Sequence, residues 1–310
     1  MQQKFYFWVE KYLFNPSAIQ KILAYLLLPL TGLYCLIVLL KRKFSKPIDF
    51  QLPIISVGNL IVGGAGKTPI TIALAENKKD VFIILRGYKR ASKGLIMISD
   101  KGKILTDVKI SGDEAMLLAT ALPHASIIVS ENRILGIEEA KRKGAKIIFL
   151  DDGFSKANIQ KLDLLIKPDI PQSNNFCLPS GPYREPKSYY HDYLSIEEDR
   201  DFFKSVEIEN PSDTMLLITA ISKPQRLEKY LPKEIEKVYF PDHYAYKKEE
   251  LEALLKRYQA TSILTTTKDA VKMQTFNLPL SILRLKIRLH KEVVEVVDTF
   301  IEDYAKISQK

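Results

Sequence analysis

Gly66-Lys67-Thr68 closes a glycine-rich run that follows the apolar segment Ile54 to Val57. A strand, a glycine turn and a helix opening at Lys67 make an anion site. Glycines let backbone N–H groups converge on phosphate oxygens, and the helix amino end adds positive potential. Ile61, Val62, Gly63, Gly64, Ala65, Gly66, Lys67 and Thr68 are therefore the expected nucleotide-phosphate cradle. In that chemistry the lysine reaches the β- and γ-phosphates of ATP and the threonine hydroxyl ligates Mg²⁺. The spacing is irregular, because Ile61 stands where the usual loop begins with glycine and Gly63-Gly64 lie inside it. Such a cradle needs a carboxylate for magnesium at the end of a neighbouring strand. Lys146 to Leu150 is an apolar strand that ends in Asp151-Asp152-Gly153, and either aspartate can hold the ion.

These residues need elements to carry them. Strands are expected at Ile54 to Val57, Val81 to Leu85, Ser126 to Val129, Lys146 to Leu150 and Leu162 to Ile166. Helices fall between them at Lys67 to Glu76, from near Ser111 past Leu118, and at Asn132 to Lys143. A hairpin is expected around Asp100-Lys101-Gly102. Short apolar strands alternating with helices predict an α/β fold of the P-loop NTPase type, with a mostly parallel sheet covered on both faces. Residues 168 to 193 hold five prolines and read as a long functional loop, and acidic Glu197 to Asp213 reads as a connector. Alternation resumes through strands at 215–219, 238–240, 263–266 and 282–289, with helices at 224–230, 248–258 and 291–307. Domains are thus expected at 1–47 (a membrane-associated segment), 48–212 (the P-loop core) and 213–310 (a smaller α/β lobe).

Composition narrows the class. The chain has 310 residues, 46% of them hydrophobic, and a net charge of +9 that favours anionic partners. Cys35 and Cys177 are the only cysteines, too few for a disulfide framework or a cysteine-based metal site. Ile22 to Leu40 carries no charge over nineteen residues and is followed by Lys41-Arg42-Lys43, which predicts a membrane-associated helix with the rest of the chain in the cytoplasm. Pro29 and Gly32 can kink it, so crossing and half-insertion are both open. No nucleic-acid-binding module or basic–aromatic stripe is present, so nucleic acid is not an expected partner. The oligomeric state is not legible, and a monomer is the default.

The ordered motifs resemble the tetraacyldisaccharide 4'-kinase family, the lipid A kinases. The resemblance rests on Val57-Gly58-Asn59-Leu60 leading into the glycine loop, Arg86-Gly87-Tyr88, Gly112-Asp113-Glu114 and Asp151-Asp152-Gly153-Phe154. It continues through Leu178-Pro179-Ser180-Gly181-Pro182 with Arg184-Glu185-Pro186, Phe240-Pro241-Asp242-His243, and Thr265-Thr266 with Lys268-Asp269-Ala270. Departures fall at Ile61, Lys89, Ala115, Ser155-Lys156 and Thr267.

The resemblance implies an ATP- and Mg²⁺-dependent kinase acting on the 4'-hydroxyl of tetraacyldisaccharide 1-phosphate to give lipid IVA, at the cytoplasmic face of the bacterial inner membrane. It implies that Asp113, His243 and Lys67 are catalytic, that His243 with Asp113 activates the sugar hydroxyl, and that Thr68, Asp151, Asp152 and Glu185 hold the metal. Asp113 and His243 fall in different expected lobes, which predicts that they meet only on closure. Arg86 and Tyr88 serve nucleotide or lipid phosphate, or a plain strand-end ion pair. Arg184 binds the lipid 1-phosphate or lies on a solvated face. Asp269 is expected to cap its helix.

Overall fold

The computed structural model describes residues 2–63, 66–168, 173–221 and 224–307. Three helices come first: α1 (Gln2–Phe14), α2 (Ala18–Leu26) and α3 (Leu28–Lys43). Next are β1 (Ile54–Gly58), α4 (Lys67–Ala75), β2 (Val81–Leu85), β3 (Ile96–Asp100) and β4 (Lys103–Ile104). Then come α5 (Val108–Ser111), α6 (Asp113–Ala121), β5 (Ser126–Val129), α7 (Arg133–Arg142), β6 (Ile147–Asp151) and β7 (Leu162–Ile166). The chain continues through α8 (Tyr189–Asp192), β8 (Leu194–Ile196), β9 (Phe202–Glu209), β10 (Met215–Thr219) and β11 (Glu236–Tyr239). It closes with α9 (Lys248–Arg257), β12 (Ser262–Thr266), α10 (Thr267–Met273), β13 (Leu280–Leu289) and α11 (Lys291–Ile307).

These elements pack into two compact units that interleave along the chain: Met1–Thr71 with Lys146–Phe203 and Leu289–Lys310, and Ile72–Ala145 with Lys204–Arg288. In the first unit β6, β1, β7 and β8 lie side by side and parallel. Every residue of β1 and β6 is buried, which is why both read as unbroken apolar runs rather than alternating ones. Register sets Val57 opposite Asp151, so the acid pair emerges beside the start of the glycine loop, at the carboxyl edge where α/β sheets bind ligands.

The apolar N-terminal run is not one helix. It breaks at Leu27 into α2 and α3, bent by 56°, with Pro29 in the first turn of α3. Proline fits a first turn because the N–H it lacks has no helical partner there. Ser17 and Gln20 form a capping box that starts α2. Among the described residues no single helix is long and apolar enough to cross a membrane; the bent pair together meets that test by length and composition. Thr31, Tyr34 and Arg42 face the protein, donating to Ser180 Oγ at 2.7 Å, Arg184 O at 2.8 Å and Glu185 Oε2 at 2.8 Å. Leu26, Leu30, Leu33, Leu36 and Ile37 are exposed.

The second unit holds two groups of strands. β2 and β5 are parallel, with β3 and β4 antiparallel beside β5. The expected hairpin is present, but its second strand is only two residues long. Asp107 accepts a hydrogen bond from Ile110 N at 2.9 Å and starts α5 instead. A five-stranded sheet follows the order β11-β10-β12-β13-β9. Its edge strand β9 lies inside the acidic segment expected as a connector; Val206 and Ile208 alternate there with Glu207 and Glu209, the pattern of a half-exposed edge. The segment 224–230 is a 3-10 helix.

Candidate active site

The candidate residues gather in two constellations, one in each unit. In the first, Gly66 has φ +77° and turns the chain into α4, a conformation glycine adopts without a Cβ penalty. Thr68 Oγ1 donates to Asp151 Oδ2 at 2.8 Å, and Lys67 Nζ lies 3.2 Å from Asn59 Oδ1 and 3.8 Å from Asp152 Oδ1. Gly64 and Ala65 lie outside the described residues. Asp152 sits at φ 57°, left-handed, and accepts from Arg184 at 3.1 and 3.3 Å. Arg184 also donates to Asn59 Oδ1 at 2.7 Å, and its backbone N–H donates to Leu60 O at 2.7 Å. The proline-rich loop is thereby stitched to the flank of the phosphate loop.

Glu185, next along, is 7% exposed and is held by Arg42 at 2.8 Å. Burial pushes its carboxyl up, against the opposing charge and hydrogen bond of Arg42. The Arg42 guanidinium lies 4.3 Å from the Phe154 ring centre, with Tyr189 and Tyr193 at 5.0 and 5.5 Å. A cavity of about 330 Å³ opens here, lined by Tyr34, Lys41, Arg42, Asn59, Asp152 and Arg184 among others.

In the second unit Gly112, at φ +81°, precedes α6 and sets Asp113 in its first turn. Asp113 Oδ2 lies 3.0 Å from His243 Nδ1, although 130 residues separate them. The expectation that the two meet only on closure is corrected: both belong to one compact unit and are already in contact. His243 takes φ 65°, and its N–H donates to Ala220 O at 3.2 Å. Non-glycine residues in this region mark turns and functional positions. The Tyr88 ring packs edge-on against the imidazole, centres 5.6 Å apart. Burial opposes ionisation of Asp113, but the hydrogen bond to His243 and the charge of Lys272 outweigh it and hold its carboxyl below the ordinary range.

Arg86 is exposed just beyond β2. Lys89, where the resembled motif often carries glycine, has φ 56°. The cap expected at Asp269 is instead Thr266, whose side chain accepts from Asp269 N at 3.2 Å. Asp269 is fully buried and accepts from Thr219 Oγ1 at 2.7 Å and Ala220 N at 3.1 Å, partners supplied by tertiary packing. Sequence reasoning missed Arg42, read only as a basic flank, and Lys272, which shares a helix face with Asp269 three residues earlier.

The donor chemistry fits a small divalent cation. Thr68 and Asp151 offer hard oxygen ligands side by side. Among the described residues no group of three or more His, Cys, Asp or Glu could enclose a metal. Magnesium suits such a site, since it keeps several waters and takes its other ligands from phosphate.

Comparison with known proteins bears on the family and the fold. The family model for tetraacyldisaccharide-1-P 4'-kinase matches residues 23–196 and 189–302. A tetraacyldisaccharide 4'-kinase of Aliarcobacter butzleri is 53% identical over 302 residues, covering 94% of this chain and 96% of that protein. One from Helicobacter pylori is 48% identical over 298 residues, covering 96% and 95%. The crystal structure of LpxK from Aquifex aeolicus in complex with ATP superposes with a TM-score of 0.73 at 29% identity, covering 91% of this chain and 99% of that one. A match of this extent, over ordered motifs and a shared fold, places the chain in the tetraacyldisaccharide 4'-kinase family.

Proposed function

We infer that this chain transfers the γ-phosphoryl group of ATP to the 4'-hydroxyl of tetraacyldisaccharide 1-phosphate, a step of lipid A biosynthesis. The single observation that carries the mechanism is the Asp113–His243 contact. A carboxylate facing Nδ1 keeps the proton on that nitrogen and leaves Nε2 as the base. The 4'-oxygen attacks the γ-phosphorus, the bond to the β-phosphate oxygen breaks to release ADP, and the hydroxyl proton passes to His243 Nε2. Transfer of this kind needs positioning and charge neutralisation more than covalent help from the protein.

Lys67 would neutralise the γ-phosphate oxygens, and the loop Ile61 to Thr68 would cradle the phosphates through backbone N–H groups. Thr68 and Asp151 would hold Mg²⁺, which when bound supplies Lewis-acid neutralisation of the phosphates. Asp152 and Glu185 would be its supporting acids, oriented by Arg184 and Arg42. Arg184 and Lys41 would add positive potential for the lipid's own phosphate.

The acceptor cannot leave a bilayer cheaply, at about 0.8 kcal/mol for each exposed methylene. The exposed apolar side chains of α2 and α3, with Lys41 and Lys43 beside them, support membrane association through residues 1–47. This would place the enzyme on the cytoplasmic face of the inner membrane. The direct test incubates the protein in detergent with γ-labelled ATP and the acylated disaccharide monophosphate, then separates the lipid. A labelled lipid bearing a second phosphate supports the reading; label that appears only as inorganic phosphate sinks it.

A further inference from the structure

Behind Asp113 lies a cation that the reaction as written does not use. Lys272 is on α10, and its side chain is 7% exposed. Its ammonium lies 2.8 Å from Asp269 Oδ1 and 3.5 Å from Asp113 Oδ2, the same oxygen that faces His243. It donates to Tyr244 O at 3.2 Å, the carbonyl of the residue after His243, and sits 5.0 Å from the Tyr246 ring centre. Asp269 in turn accepts from the N–H of Ala220, whose carbonyl accepts the His243 N–H. One buried lysine therefore links the carboxylate of the pair, the turn that carries the imidazole, and the end of β10 that holds that turn.

Taking an ammonium out of water is costly, and apolar side chains of similar volume in place of both Lys272 and Asp269 would avoid that cost. The placement makes sense where the charge is used. Once His243 holds the hydroxyl proton, Asp113 lies between two cations, and its carboxylate must not swing toward either. Lys272, itself fixed by Asp269 and Tyr244, sets where Oδ2 sits. The other charged groups facing the pair are Asp242, with Oδ2 3.6 Å from Nε2, and Lys268, 3.6 Å from Asp242 Oδ1. Neither is as enclosed as Lys272.

We propose that Lys272, anchored by Asp269, is a positioning residue that fixes the Asp113 carboxylate and the His243 turn so that Nε2 faces the acceptor hydroxyl. The proposal rests on the reading of His243 as proton acceptor. Its test is a double-mutant cycle in the full-length enzyme, with labelled ATP and the acylated disaccharide monophosphate. Lys272→Met should lower kcat about 10- to 100-fold, up to the roughly 100-fold low end of general-base effects, with the KM for ATP unchanged. Lys272→Arg, which keeps the charge, should recover part of that loss. In the His243→Ala background, Lys272→Met should cause no further loss.

An equal loss in both backgrounds would show that Lys272 acts elsewhere and would overturn the proposal while leaving the acceptor reading intact. So would a folded Lys272→Met enzyme turning over at the wild-type rate. A wild-type rate in His243→Ala alone would fail the acceptor reading itself, and this proposal with it. Should Lys272→Met not fold, Lys272→Gln, which keeps a donor and loses the charge, takes its place in the same cycle.

Discussion

At Lys67 and Asp152 the charged side chains are 15% and 42% exposed and their ends stand 3.8 Å apart. At Asp113 and His243 they are 13% and 11% exposed and 3.0 Å apart. In the first constellation Asp152 opens to solvent, where a hydrated polyanion can approach, while Lys67 is nearly as enclosed as Asp113 and stands beyond hydrogen-bond distance of Asp152. The second is closed in and paired by its own residues, with the imidazole fixed between a carboxylate and an aromatic edge. A phosphate site can let its ligand complete it, because electrostatic attraction orders flexible groups on arrival. A proton acceptor works by direction, so its geometry has to be in place beforehand.

That contrast can be broken by experiment. Lys67→Ala should have the largest effect, about 10³-fold in kcat/KM, because it removes the cation proposed to neutralise the γ-oxygens. Steady-state kinetics at varied ATP checks it, and a loss under tenfold would mean Lys67 is not at the phosphates. His243→Ala should lower kcat about 100-fold at saturating lipid, with ATP affinity unchanged. An altered ATP affinity there would blur the division between the two ends.

Arg42→Met should act on stability, by about 3 kcal/mol, since it strands Glu185 without its buried partner. Denaturant unfolding in detergent measures this, and no change would show Glu185 to be hydrated. The smallest effect concerns pH. The Asp113 carboxyl titrates below its ordinary range, so its contribution to stability is complete above the usual carboxylate value near 4 and is lost as pH falls through the lower folded value. The stability gap between wild type and Asp113→Asn should hold from pH 8 to about pH 5 and close below it. A gap unchanged at pH 3 would mean that the charge of Asp113 contributes nothing.

The strands that lead into the glycine loop and the acid pair are legible in the sequence. β1 and β6 are buried on both faces, so their sequences are nearly continuous apolar runs, and the glycine loop and acid pair that follow them are the proposed binding residues. Asp113 and His243 came from family resemblance alone, since nothing local says that an acid in a first helical turn will meet a histidine 130 residues on. The missed features share that cause. Arg42 looks like a membrane-flanking charge until Phe154, Tyr189 and Glu185 gather around it. Asp269 looks like a cap until Thr219 and Ala220 claim its carboxylate. β9 was hidden by its own edge chemistry, because acidic residues on the outward positions make a strand resemble a linker. The break at Leu27 was expected from Pro29 in kind and missed in position.

The interleaving of the two units bears on how the chain can be made and cut. The backbone passes between them at 71/72, 145/146, 203/204 and 288/289, so neither unit is a contiguous fragment that a gene could encode alone. Residues 289–307 follow the second unit in the chain yet belong with the helices of residues 2–43, and Gln160 Nε2 donates to Tyr304 OH at 3.0 Å within that unit. The unit that carries the apolar amino-terminal helices therefore stays incomplete until residues 289–307 have been made, and a stop codon near 288 would strand it half-built.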